Sequence, residues 1–171
     1  MVVQQELIVS SSRKEKAKEY EGEVVKIIAA THPTWRVYEP SSDYSRVDGI
    51  AIDNRTQQLI AVWETKCRNK SLHEIQRFGN EMIIDNHKLE SLKKSSWLFC
   101  VETYLFTYLL TDGLILKTKI TNDKGEYVCI KRDADEEGSA GLDRGTIQKK
   151  HSYVRIDGST ILSTGQPIGK I

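Results

Sequence analysis

Three residues of this chain could do chemistry together: Asp48, Glu64 and Lys66. Asp48 opens the segment Asp48-Gly49-Ile50-Ala51-Ile52-Asp53, and Glu64-Thr65-Lys66 follows Leu59-Ile60-Ala61-Val62-Trp63. Both segments are short and apolar, and Asn54-Arg55-Thr56-Gln57-Gln58 between them reads as the loop of a β-hairpin. A loop centred on Thr56 places Asp53 opposite Leu59, Ala51 opposite Ala61 and Asp48 opposite Glu64. Residues opposite one another in an antiparallel pair share a face, with Cα atoms roughly 4.5–5.5 Å apart. Lys66, two residues beyond Glu64, shares that face too. Two facing carboxylates with an ammonium beside them suit a hard divalent cation, whose oxygen ligands lie at about 2.0–2.1 Å for magnesium.

A solvated trio at a strand end is the plain alternative, and periodicity argues against it. Ile50, Ile52, Ile60 and Val62 are expected on the carboxylate face, with Val47, Ala51, Ala61 and Trp63 on the other. Two apolar faces mark central strands covered on both sides. A charge on such a strand is costly unless it is paired or bound to metal.

Other elements must position these strands. Ser10-Ser11-Ser12 is a helix start signal after a short lead over residues 1–9, and Arg13 to about Thr31 carries the helical period. Ala17, Tyr20, Val24, Ile27, Ile28 and Thr31 form its apolar face, with Glu21 and Val25 on the flank. Glu23 lies on the opposite flank, so Glu21 is the helix carboxylate expected to reach the site. His32-Pro33 stops the helix, and Trp35–Tyr38 reads as a strand. The loop that follows carries Ser42, Tyr44 and Ser45, weak candidates for phosphate contacts.

At this point the chain resembles the PD-(D/E)XK nuclease superfamily, through Asp48 on one strand and Glu64-Thr65-Lys66 on the next. Val47 stands where the usual Pro precedes the Asp. The first half is most similar to archaeal Holliday-junction resolvases, whose helix motif is matched by Glu21-Gly22-Glu23-Val24-Val25-Lys26-Ile27-Ile28. The resemblance covers roughly residues 13–66. It implies a restriction-endonuclease-like α/β fold, a mixed central sheet flanked by helices, in a single domain over 1–171. It implies Mg²⁺, with Mn²⁺ as a substitute, held by Asp48, Glu64 and the Thr65 backbone carbonyl. Lys66 would orient or deprotonate the attacking water, and Glu21 would hold a second metal or a bound water. The activity implied is hydrolysis of DNA to a 5′-phosphate and a 3′-hydroxyl. An endonuclease is favoured over an exonuclease, with structure-specific and mobile-element enzymes included. A homodimer is compatible with it. The alternatives are a nuclease-fold protein that binds DNA or a partner without cutting, and a domain merely stabilised by a cation.

Beyond Lys66, Arg68 and Lys70 would emerge at the mouth of the site and could neutralise backbone phosphates. Ser71 starts a helical segment with Leu72, Ile75 and Phe78, broken at Gly79-Asn80. A second helical segment is expected from about Glu81 to Lys94, with Met82, Ile83, Leu89 and Leu92 in register. Gln76 and Lys88 on these segments could flank substrate. Trp97–Val101, Phe106–Leu110, Leu114–Ile120, Tyr127–Ile130 and Gln148–Ile156 read as strands, with Lys149 and Lys150 as further candidates for phosphate contact. Asp112-Gly113 and Asn122–Gly125 are turn signals, and Thr160–Leu162 is a terminal extended piece. Asp133–Glu137 reads as a solvated acidic loop rather than a second metal site.

The bulk numbers bound these readings. The chain has 171 residues, 39% hydrophobic and 29% charged, the composition of an ordinary globular protein. A net charge of +1 excludes a generally basic coat, so any nucleic-acid surface must be local. Three cysteines and four histidines show no metal-ligand spacing. Widely spaced thiols, no apolar run near ~20 residues and no leader signal at the start lead to the expectation of a cytoplasmic protein without a membrane span. No phosphate-cradling Gly-rich loop is present, so no nucleotide cofactor is expected.

Overall fold

The apolar, β-branched segments on either side of Asn54–Gln58 form the hairpin at the centre of the protein. The computed structural model describes the backbone of residues 2–40, 46–139, 146–163 and 165, and the side chains of 15–40, 46–134, 150–163 and 165. In chain order the elements are α1 (Val2–Thr31), β1 (Trp35–Tyr38), β2 (Gly49–Asp53), β3 (Leu59–Arg68), α2 (Leu72–Arg77) and β4 (Glu81–Asp85). There follow α3 (Asn86–Phe99), β5 (Glu102–Leu109), β6 (Leu114–Thr121), β7 (Lys131–Ser139), β8 (Thr146–Arg155) and β9 (Thr160–Ile161). Six strands make a mixed sheet in the order β1-β2-β3-β5-β6-β9, with β3 and β5 parallel and the other neighbours antiparallel. The fold is thus α/β, a mixed central sheet with helices on both faces. A second, antiparallel sheet, β4-β8-β7, stands beside it.

The two faces of β3 build two cores. Trp63, buried beside Ala51, Ala61 and Phe106, packs under Val24 and Ile28 of α1. Val62 and Leu105, on the opposite face, pack with Leu89 and Leu92 of α3. Period-two alternation along a strand covered on both sides is what both cores require. Near the loop the alternation slips. Ala51 pairs with Ala61 as expected, but Ile52, not Asp53, pairs with Leu59, leaving Ile60 as the extra residue of a β-bulge. Ile60 therefore joins the α1 core rather than the carboxylate face. Val47, ahead of the regular strand, packs with the α3 core instead of the α1 core.

Several other expectations are corrected. Residues 2–9 are helical, and α1 runs through Ser10–Ser12. Serine's preference for a cap amounts to about 0.5–2 kcal/mol, and a run of good helix formers, Arg13-Lys14-Glu15-Lys16-Ala17, follows the triplet. α2 forms as expected, with Ser71 and Glu74 closing a reciprocal capping box. Residues 81–85 are a strand, not helix: Met82 and Ile84 are buried while Ile83 is exposed, the alternation of β structure. Gly79 (φ +96°) and Asn80 (φ +61°) turn the chain into it, and pairing with β8 holds it there. Trp97, Leu98 and Phe99 finish α3 instead of opening a strand, with Cys100 in the left-handed conformation ending the helix. Tyr127 makes a single bridge to Thr121 rather than a strand over 127–130. Asp133–Glu137 lie in β7, not in a loop. The register sets this acidic run against the basic start of β8, Asp135 opposite Lys150 and Glu136 opposite Lys149. Ser42, Tyr44 and Ser45 lie outside the described residues. Among those described, no helix is long and apolar enough to cross a membrane.

Candidate functional site

Asp48 immediately precedes β2, and its amide donates to the Trp63 carbonyl at 2.9 Å. The regular register ends at Gly49 opposite Trp63, so Asp48 is not the ladder partner of Glu64 that the hairpin reading expects; the two carboxylates are neighbours through Lys88, which lies beside both. Glycine at position 49 makes the close pairing with Trp63 possible. A Cβ there would lie 2.2 Å from the Trp63 ring.

The carboxylates differ in surroundings. Asp48 Oδ2 accepts the Thr65 amide at 2.8 Å and the side chain keeps 25% of its surface in solvent. The Glu64 side chain is 1% exposed, and its Oε1 accepts from Lys66 Nζ at 2.8 Å. Lys88, from the first turn of α3, reaches the same place: its Nζ lies 3.0 Å from Glu64 Oε2 and 3.6 Å from Asp48 Oδ1. Burial pushes the Glu64 carboxyl above its ordinary pKa, and the Asp48 charge adds to the rise; Lys66 and Lys88 oppose it. Burial works against the Lys88 ammonium, but Glu64 and Asp48 together outweigh it and hold its pKa above the ordinary lysine value.

Glu21 and Glu23 of α1 are separated as helix phase predicts. Burial raises the Glu21 pKa, and the next largest influences are the charges of Asp48 and Lys66, so Glu21 lies within electrostatic reach of the pair. Glu23 instead accepts from the Tyr108 hydroxyl at 3.1 Å. The Cys67 thiol, pushed up to about 11 chiefly by burial, is an inert neighbour.

The basic residues expected to meet phosphate are divided. Arg68 spans from β3 to the second sheet, its guanidinium donating to the carbonyls of Ile83 at 2.7 Å and Cys67 at 3.2 Å. Lys70 and Lys150 are exposed. The Lys149 side chain lies outside the described residues. Lys88 belongs to the carboxylate cluster, a position sequence reasoning missed because it placed this residue in mid-helix. The signal was present: a cation in the first turn of a helix opposes the macrodipole and calls for an acidic partner.

Among the described residues no three His, Cys, Asp or Glu side chains gather into a metal cage. Asp48 and Glu64 nevertheless suit magnesium, which keeps several waters and uses only one or two carboxylates. Glu64 Oε2 supports that fit, because it is buried and what it faces is a cation, the Lys88 ammonium at 3.0 Å. No family model matches the chain, and no curated protein matches it.

Proposed function

We propose that this protein is a metal-dependent deoxyribonuclease with a restriction-endonuclease-like fold that hydrolyses DNA phosphodiester bonds, an endonuclease in preference to an exonuclease. The observation that supports this reading best is a buried Glu64 that shares the Lys88 ammonium with Asp48 and has Lys66 bonded to its other oxygen. A burial-raised carboxylate between two ammonium groups is a costly arrangement for a purely structural strand. It gains a purpose if the pair holds Mg²⁺ or Mn²⁺.

In this reading Asp48 Oδ1 and Glu64 Oε2 would hold the cation, with the Thr65 carbonyl as a further ligand by resemblance. Bound there, it would supply Lewis acidity at the phosphoryl group and make hydroxide accessible near neutral pH. Lys66 orients the attacking water through its ammonium protons and steadies the charge that grows on phosphorus. Glu21, from the other side of the sheet, accepts a hydrogen bond from a water at the site. Asp48 stays aligned because the Thr65 amide fixes its second oxygen. The exposed Lys70 and Lys150 meet backbone phosphates.

The test is a cleavage panel of duplex, single-stranded, flapped and four-way-junction DNA, with RNA, in Mg²⁺ or Mn²⁺. Wild type is expected to cut at least one DNA form, and Asp48→Ala and Glu64→Ala are expected to abolish cutting while remaining folded. Near-wild-type turnover by either variant would sink the assignment. Binding of DNA without cutting would favour a silent nuclease-fold protein instead.

A further inference from the structure

The two carboxylates offer four oxygens, and their partners divide them cleanly. Asp48 Oδ2 takes the Thr65 amide and Glu64 Oε1 takes Lys66. The two that remain, Asp48 Oδ1 and Glu64 Oε2, are the two beside Lys88 Nζ. They are also the two left to a divalent ion. An ion at about 2.0–2.1 Å from these oxygens would stand within contact distance of the ammonium, and like charges exclude joint occupancy. The Lys88 ammonium lies 3.0 Å from Glu64 Oε2 and 3.6 Å from Asp48 Oδ1. Its exchange for another cation leaves the bonds at Asp48 Oδ2 and Glu64 Oε1 in place. Lys88 also has a way out. Its side chain keeps 19% of its surface in solvent, and a lysine stem is flexible.

We propose that Lys88 is an exchangeable counter-ion, holding Asp48 and Glu64 together until a divalent cation displaces it, and then turning its freed ammonium to a phosphate of the bound nucleic acid. The proposal rests on the nuclease reading of the site and adds a regulation to it. Lys88 does not bind metal and phosphate competes for it only after the exchange, so affinity for nucleic acid is coupled to metal. Lys66 is not displaced, because it holds the other oxygen of Glu64.

The experiment uses the full chain and reads binding, not turnover. Calorimetry with Mn²⁺ compares wild type, Lys88→Met and Lys88→Gln; the Gln variant retains an amide donor for Glu64 should the Met variant not fold. Loss of the competing ammonium is expected to tighten Mn²⁺ binding at least tenfold. Duplex DNA affinity is then measured against salt, once with Ca²⁺ in place of the catalytic ion and once with EDTA. With Ca²⁺ the wild-type slope should exceed the variant's by about 0.9, the value of one phosphate contact; with EDTA the slopes should coincide. Mn²⁺ affinity unchanged or weakened in both variants would overturn the exchange while leaving the metal site standing. A slope difference equal in Ca²⁺ and EDTA would make Lys88 a permanent phosphate ligand, and would overturn it too. Failure of wild type itself to bind Mn²⁺ would remove the metal reading, and this proposal with it.

Discussion

Replacing Gly49 by alanine adds one methyl group at the point where Asp48 is delivered to Glu64. The new Cβ would lie 2.2 Å from both Cε2 and Cζ2 of Trp63 and 2.6 Å from its Nε1. Carbon atoms rest about 3.5–4.0 Å apart, so the ring or the strand must move by about 1.3–1.8 Å. Trp63 cannot yield easily. It is wholly buried and packs edge-on against Phe106, ring centres 5.7 Å apart. β2 is the freer partner, and shifting it stretches the bond from the Asp48 amide to the Trp63 carbonyl. Overpacking of this kind costs about 1–3 kcal/mol, which for a chain of this size lowers Tm by about 2–4 °C per kcal/mol. A carboxylate misplaced by about 1 Å costs roughly 10²-fold in rate. For Gly49→Ala, urea denaturation should show the loss of stability, DNA-cleavage rates the loss of turnover, and Mn²⁺ calorimetry a weaker metal site. Gly22→Ala is the internal control: no atom lies within 4 Å of its Cβ position on α1, so it should stabilise by about 0.5–1 kcal/mol. A Gly49→Ala protein as stable as wild type, with unchanged metal affinity, would refute the account of how Asp48 is positioned.

Other substitutions separate the remaining assignments. Glu21→Gln should lower turnover about 10²-fold, equivalent to about 2.7 kcal/mol, while Glu23→Gln should cut DNA nearly as wild type does; the opposite ranking would move the site contact to Glu23. Arg68→Ala should lower stability by about 1–3 kcal/mol through its two lost carbonyl partners with the DNA salt slope unchanged, whereas Lys70→Ala should flatten that slope by about 0.9 at unchanged stability. His32 has a lowered pKa, chiefly from burial and then from Lys117, whose Nζ lies 2.8 Å from its Nε2. The unfolded chain thus binds this proton more readily, so stability is fully present above the ordinary value of 6.5 and falls as pH drops below it. Denaturation midpoints between pH 8 and 5 should show this fall in wild type and a smaller one in His32→Gln.

The central hairpin was legible because a strand buried on both faces has one workable alternation, and a one-residue slip would send Trp63 to the wrong core. Helix phase separated Glu21 from Glu23 along α1, and Ser71 announced α2. Other parts were hidden by physics that composition does not carry. Met82-Ile83-Ile84 is too short to distinguish helix from strand by period, and β8, some seventy residues later, supplies the pairing that decides it. Five residues rich in acid read as solvated loop until β8, ahead in the sequence, pairs with them. Lys88 was hidden by the same error as β4, because its helix begins only at Asn86.

The burial of Glu64 sets the site apart from an ordinary surface ion pair. Exposed pairs contribute about 0–1 kcal/mol and tolerate loss of a partner. Here the carboxylate sits on β3, between β2 and β5, with Val62 of the same face in the α3 core. An apolar residue in its place would satisfy the fold at least as well, since buried ion pairs often add no net stability over packed hydrophobic groups. Two lysines converge on it from different elements, one from β3 itself and one from α3. The neighbouring Asp48 raises rather than relieves the local negative charge. Stability alone gives no reason to concentrate carboxylates where solvent is scarce and balance them with a flexible ammonium; the proposed cation site would.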